Sequence, residues 1–228
     1  MRKLVLWGHH FSEYVDMFDL EKDMTGKKIL EFACGPTAVN DELSSKGHFI
    51  QSCDPWFSQD IAAMQQRFTQ HLQQQIQHME THPERFNFDK YGGMETFIAK
   101  RQQGFQQFFK DYLNGYRQGR YQPLRDGHLP FSNSSFDIAV CSNFLFADVP
   151  EQGLAFQLTW IKELARVAND IRIYPLTDQQ GHVSELLGPI LLQLQQDGFQ
   201  VVIQEVPFRL VPNSKAMLKL SAGRCELR

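Results

Sequence analysis

Along this chain, short apolar runs alternate with segments in which apolar residues return every three or four positions, the pattern of strands laid between helices. Positions 11–24 carry Phe11, Tyr14, Val15, Phe18 and Met24 at near-helical spacing, with Ser12 placed to cap and Gly26 as a stop, which predicts a leading helix. Residues 27–33 read as a short buried strand, and the turn Cys34-Gly35-Pro36-Thr37 follows it. A helix over 38–45 stops at Gly47 before a second strand over 48–54, completing a β-α-β unit. The alternation resumes after Gly119 with strands over 121–125, 136–142, 170–176, 199–206 and 215–220, and helices over 151–167 and 182–197. Pro207, Pro212 and Asn213 bracket the last connection and predict a hairpin at the sheet edge. Strands and helices in this order imply a largely parallel sheet covered on both faces.

Residues 58–118 have another texture. They are rich in glutamine, hold no strand pattern, and contain two long helical stripes interrupted around Pro83 and Gly92-Gly93. Ile61, Met64, Phe68, Leu72, Ile76 and Met79 form the first stripe; Phe97, Phe105, Phe108, Phe109, Tyr112 and Tyr116 form the second. We read the segment as a helical insertion after the second strand, its aromatic face packed on the sheet or the first helix, with a cap over a substrate pocket as the functional alternative.

Composition narrows the class. At 228 residues the chain suits one α/β domain spanning 1–228, and its 42% hydrophobic and 21% charged residues are those of an ordinary folded protein. A net charge of -3 provides no basic field to gather nucleic acid, so a nucleic-acid partner is disfavoured. Cys34, Cys53, Cys141 and Cys225 lie far apart and match no metal-ligand spacing, so we expect reduced thiols, no metal and a cytoplasmic protein. The first ten residues are too poor in apolar positions for a signal sequence, and no run suffices to span a membrane.

In open α/β sheets a ligand binds beyond the carboxyl ends of the strands, where the strand order reverses. That rule selects Glu31 to Thr37, Asp54-Pro55-Trp56, the stretch from Asp126 to Pro130, and Ser142-Asn143-Phe144. The first turn ends a strand and opens a helix, and Gly35 allows close backbone approach. A carboxylate at Glu31 suits a cation rather than a phosphate, and the turn matches neither GxxxxGK[ST] nor GxGxxG. Asp54 lies 19 positions beyond Gly35, where an acid can accept hydrogen bonds from both ribose hydroxyls. Pro55 adds a bend, and Trp56 a ring able to lie against adenine.

These residues resemble a family. Ile29-Leu30-Glu31-Phe32-Ala33-Cys34-Gly35-Pro36, then Cys53-Asp54-Pro55, then Leu129-Pro130-Phe131 through Phe136-Asp137 are similar to the S-adenosylmethionine-dependent methyltransferases with a Rossmann-like seven-stranded sheet. A closer likeness to a largely uncharacterised bacterial branch rests on Ala38-Val39-Asn40-Asp41-Glu42-Leu43, Cys141-Ser142-Asn143-Phe144-Leu145-Phe146, and the run from Lys162 to Leu176. The resemblance implies an α/β Rossmann-like three-layer sandwich: a mostly parallel seven-stranded sheet, an antiparallel edge hairpin, and a helical insertion after the second strand. It implies S-adenosylmethionine as cofactor, its methionine end held by Glu31 and by Ala33, Cys34, Gly35, Pro36 and Thr37. Asp54 would take the ribose with Pro55 and Trp56 beside it, and Leu129, Ser142 and Asn143 would line the remainder. Asp126 is either the adenine-lining acid or a turn-forming Asp-Gly. Where the family's first motif carries three glycines, this chain keeps only Gly35, with Ala33 and Thr37 at the outer positions.

No Asn-Pro-Pro-Tyr-like sequence follows the fourth strand, which favours a small-molecule acceptor; no general base is identified. The competing reading is a catalytically silent relative that binds cofactor or partner. His71, His78 and His82 read as a solvated face, and Glu163 with Arg166 as a surface ion pair worth little. His9-His10 read as surface histidines, with the resemblance implying as the alternative a leading helix folded over the cofactor cleft.

Overall fold

The computed structural model describes residues 8–58, 60–124, 127–146, 153–178 and 181–222. The chain runs α1 (Phe11–Phe18), β1 (Lys28–Phe32), α2 (Val39–Ser44), β2 (Phe49–Asp54), α3 (Ile61–Thr81), α4 (Met94–Arg117), β3 (Tyr121–Pro123), β4 (Phe136–Ser142), α5 (Leu154–Val167), β5 (Ala168–Tyr174), α6 (Leu187–Gln196), β6 (Phe199–Glu205) and β7 (Ala216–Ala222). The seven strands form one sheet in the order β3-β2-β1-β4-β5-β7-β6. β7 runs antiparallel to both its neighbours and the other pairings are parallel, giving the Rossmann-like arrangement with an antiparallel edge pair expected from the sequence.

Several boundaries move for local reasons. α1 stops six residues short of Met24 because Asp19 adopts a left-handed conformation (φ 50°) and ends it. The helix expected from 182 begins at Leu187, since Val183 bridges Thr177 and the Ser184 amide donates to Leu176 O. The last strand extends to Ala222, opposite Phe199 of β6, and β5 begins at Ala168, opposite Phe136.

The pleat sends alternate residues of each strand to opposite faces. Leu30 and Phe32 of β1 join Ala139, Cys141, Ile171 and Ile173 beneath α5 and α6. Ile29, Ile50, Ile138 and Val140 point the other way, onto Tyr14, Met17 and Phe18 of α1 and Val39 and Leu43 of α2. Burial on both faces explains why these strands read as continuous apolar runs.

The inserted segment forms α3 and α4, joined by short 3₁₀ turns at Pro83–Arg85 and Asp89–Tyr91. Its aromatic stripe divides. Phe105, Phe108 and Tyr112 close with Phe68 of α3, Phe57 and Tyr121 of β3, while Phe97 packs with α1. No helix among the described residues is long and apolar enough to cross a membrane.

One close backbone contact joins α4 to the stretch ahead of α1. A Cβ built on Gly104 would stand 2.4 Å from Gly8 O. Replacing an unhindered helical glycine with alanine gains up to about 1 kcal/mol, whereas overpacking against backbone costs about 1–3 kcal/mol. Gly104→Ala should therefore lower stability by up to about 2 kcal/mol in urea unfolding. Gly188→Ala in α6, whose added Cβ meets nothing within 4 Å, should lose none.

Candidate functional site

β1 and β2 end side by side, with Glu31 opposite Ser52 and Phe32 opposite Cys53. Glu31, Ser52 and Asp54 consequently share one sheet face, and both carboxylates are buried. Three hydroxyls donate to Glu31: Tyr14 of α1 and Thr37 of the first turn reach Oε1 at 2.7 and 2.6 Å, and Ser52 reaches Oε2 at 2.6 Å. Asp54 accepts the Gly35 amide at 2.9 Å and the Trp56 amide at 2.8 Å.

The turn between β1 and α2 is shaped by two left-handed residues, Ala33 (φ 50°) and Gly35 (φ 70°). This conformation suits glycine and is strained for alanine, by about 1–2 kcal/mol. It aims the Gly35 amide at Asp54 and leaves the Ala33 amide on Cys53 O at 2.8 Å. Thr37 does not crowd the turn, because its hydroxyl is spent on Glu31. The Cys34 thiol donates to Phe32 O, and burial pushes its pKa well up, which keeps it protonated.

Burial raises both carboxyl pKa values. Asp54 is pushed up to about 6, chiefly by burial and slightly by the neighbouring negative Glu31, against the lowering pull of the two amides. Glu31 is raised by burial despite its three hydroxyl donors. Among the described residues neither carboxylate makes an ion pair or is shifted by a cation.

The sheet order places the reversal point between β1, whose chain leaves toward β2 and β3, and β4 on its other side. Ser142 ends β4 buried on the Glu31 face, and Asn143 follows in a left-handed conformation with its amide on Tyr174 O. Pro36 C=O is taken by the Gly8 amide at 2.8 Å. Pro55 is exposed. The Trp56 ring lies on α3, 6.0 Å from Phe68, with the Arg67 guanidinium 5.0 Å above it, which turns it toward the insertion. Asp126 lies outside the described residues. Leu129 is buried in the core beneath α5, and its amide donates to Glu163.

Three groups have more to do than their sequence context suggests. Glu163 and Arg166 are not a simple surface pair: Glu163 is buried, accepts His128 and Leu129, and is held in a two-bond fork by Arg166, which also caps Leu129 O and Phe131 O. Together they shape the loop that leads into β4. His9 and His10 are both buried rather than on the surface. His10 meets Glu42 at 2.6 Å, and the His9 carbonyl accepts the Ala38 amide at 2.9 Å. Behind them Arg101 of α4 forks onto Glu13 at 2.5 and 2.6 Å, donates to Gly8 O, and lies over Phe97.

A surface groove of about 920 Å³ runs between α1, α2 and α4 past His10, Glu42, Lys46 and Lys100. It includes none of the strand-end residues.

No family model matches the chain. It is 26% identical over 192 residues to an uncharacterised protein of Methanocaldococcus jannaschii, covering 84% of this chain and 86% of that one. That relative is archaeal, whereas the sequence likeness pointed toward a bacterial branch. Among solved structures it is similar to a SAM-dependent methyltransferase from Aquifex aeolicus, at 14% identity and a TM-score of 0.41, with 92% of each chain covered. It is also similar to the magnesium protoporphyrin IX methyltransferase of Synechocystis PCC 6803 with bound SAM, at 14% identity and a TM-score of 0.42, covering 87% of this chain and 71% of that one. At scores this low, function has to be argued from the chain's own residues.

Arg101 and Glu13 form a buried pair, and breaking such a pair costs more than replacing it. Arg101→Met should destabilise the protein by about 3–5 kcal/mol in urea unfolding. Adding Glu13→Gln to that variant should recover part of the loss, because the stranded charge is then gone.

Proposed function

We propose that this chain is an S-adenosylmethionine-dependent methyltransferase acting on a small molecule, with the cofactor lying across the ends of β1, β2 and β4. The observation that carries the reading is the pair of buried carboxylates, Glu31 and Asp54, ending neighbouring parallel strands without a cationic partner among the described residues. Two desolvated acids side by side are costly, and they suit a ligand that brings hydroxyl donors and positive charge. An adenosyl sulfonium carrying an ammonium group has both. A dinucleotide would instead bring phosphates to a turn that already holds a carboxylate.

The donor set fits part by part. Each Asp54 oxygen accepts one backbone amide and keeps a lone pair for a ribose hydroxyl. Glu31, fixed by three hydroxyls, sets the negative end of the crevice where the methionine moiety would lie. Left-handed Ala33 and Gly35 keep the turn backbone close to that space. When bound, the cofactor supplies a methyl group activated by its sulfonium; the chain's residues bind, orient and exclude water. Ser142 and Asn143 at the end of β4 would face both cofactor and acceptor. The reading of the chain as one domain belongs with this proposal, the inserted helices flanking the crevice through Trp56 and α3.

Calorimetry with S-adenosylhomocysteine checks it. The native chain should bind, and Asp54→Ala should weaken binding by at least about tenfold, the value of one hydrogen bond to a charged group. Undiminished binding by the variant would remove the ribose assignment. The pH dependence has a definite sign. Asp54 is raised to about 6, so it is protonated below that pH and ionised above it. Affinity should climb as pH rises toward 6, by up to about tenfold per unit, and level off above 7.

A further inference from the structure

The stretch ahead of α1 brings to the strand ends a group that cofactor binding does not employ. His9 is fully buried. Its Nδ1 lies 3.7 Å from Glu13 Oε2, beyond hydrogen-bond distance, and neither ring nitrogen meets a hydrogen-bond partner among the described residues. Buried polar atoms are rarely left this way, and those that are call for an explanation.

The surroundings of the ring supply one. Its backbone is tied to the cofactor turn, with the His9 carbonyl accepting the Ala38 amide and the adjoining Gly8 amide donating to Pro36 O. The imidazole stands 5.9 Å from the ring of Tyr14, whose hydroxyl donates to Glu31. On its other side Phe208 is 6.2 Å away and packs at 5.7 Å on Tyr174, the register partner of Ser142. His9 is thus placed between the Glu31 cluster and the ends of β4 and β5. Ser142 Oγ, also buried there, has the Cys34 thiol beside it and no firmer partner.

Behind Nδ1, Glu13 is immobilised by the Arg101 fork and by the Tyr91 hydroxyl at 2.6 Å. At 3.7 Å from one imidazole nitrogen, the carboxylate's charge favours the imidazolium that forms when the other nitrogen takes a proton.

We propose that His9 is the general base of the transfer, its Nε2 receiving the proton of an acceptor hydroxyl while the Glu13 charge offsets that of the protonated ring. This rests on the methyltransferase reading. As the acceptor oxygen forms its bond to the methyl carbon, the carbon–sulfur bond breaks with its electron pair going to sulfur, and the hydroxyl proton passes to Nε2. Burial and the facing Arg101 hold the His9 pKa down to about 4 against the raising effect of Glu13, with His10 lowering it slightly. Tyr14 and Tyr91 are the other titratable groups facing this cluster, and burial keeps both phenols protonated. The ring therefore rests neutral at pH 7. A weak base suffices because the acceptor proton becomes strongly acidic as its oxygen bonds to the methyl carbon.

The test needs no acceptor. Sinefungin replaces the sulfur and methyl of the cofactor by a carbon bearing an amine, so it carries N–H donors toward the acceptor side; S-adenosylhomocysteine does not. By calorimetry, His9→Phe should weaken sinefungin at least tenfold and leave S-adenosylhomocysteine within about threefold. His9→Gln, which keeps an acceptor atom, should restore part of the sinefungin affinity. In the unaltered protein the ¹⁵N resonance of His9 Nε2 should move more with sinefungin than with S-adenosylhomocysteine. Equal effects of His9→Phe on both ligands, or an Nε2 resonance that answers both ligands alike, would overturn the role of His9 while leaving the cofactor reading intact. Failure of the unaltered protein to bind either ligand would overturn both.

Discussion

The site is organised around one buried carboxylate. Glu31 gathers hydroxyls from α1, from the first turn and from β2, so three segments distant in sequence are positioned against the end of β1 by a single side chain. Hydrogen bonds to a charged group contribute about 1.5–3 kcal/mol each, and burying a carboxylate costs several kcal/mol even after relaxation. The two sums are of similar size, and the raised pKa of Glu31 says that burial weighs more than the donors return. The cluster is therefore a device for placement, not a source of stability, and the apolar layers on either face of the sheet hold the fold together.

A second layer fixes the first. Ser52 receives Asn40, which is gripped by Arg120, and Arg120 forks onto Asp111 near the end of α4. On the other flank Arg101 ties α4 to Glu13, and Gly8 and Gly104 touch through their backbones. The inserted helices thus brace the ends of β1 and β2 from two sides instead of hanging from the edge of the sheet. Beyond β4's other face, Glu163 and Arg166 do the same for the loop at 128–133.

The fold was legible because its signals are local. Apolar runs that follow Gly26 and Gly47 delimit buried strands, and three-to-four spacing delimits the long helices. Boundaries failed where tertiary pairing decides them, as with the bridge between Thr177 and Val183 or the extension of β7 along β6. At the site, Glu31 and Asp54 were legible because strand-end acids stand out against apolar runs. Ser52 could have been found with them, since it lies two residues before Asp54 on the same strand face. Tyr14 and Arg101 could not, because nothing in the spacing says that Tyr14 reaches β1 or that α4 reaches residue 8. Trp56 shows a further limit: an aromatic after a strand-end acid suggests stacking on a base, and the spacing does not say that its ring also meets Phe68 and Arg67 of the insertion.

The central claim is that Glu31 and Asp54 mark one nucleoside site. A crystal structure of the protein grown with S-adenosylhomocysteine tests it most directly. The account predicts both ribose hydroxyls within hydrogen-bond distance of the Asp54 carboxylate and the amino-acid end beside the turn from Ala33 to Thr37. A nucleoside bound elsewhere, with the Asp54 carboxylate still closed between the Gly35 and Trp56 amides, would contradict it.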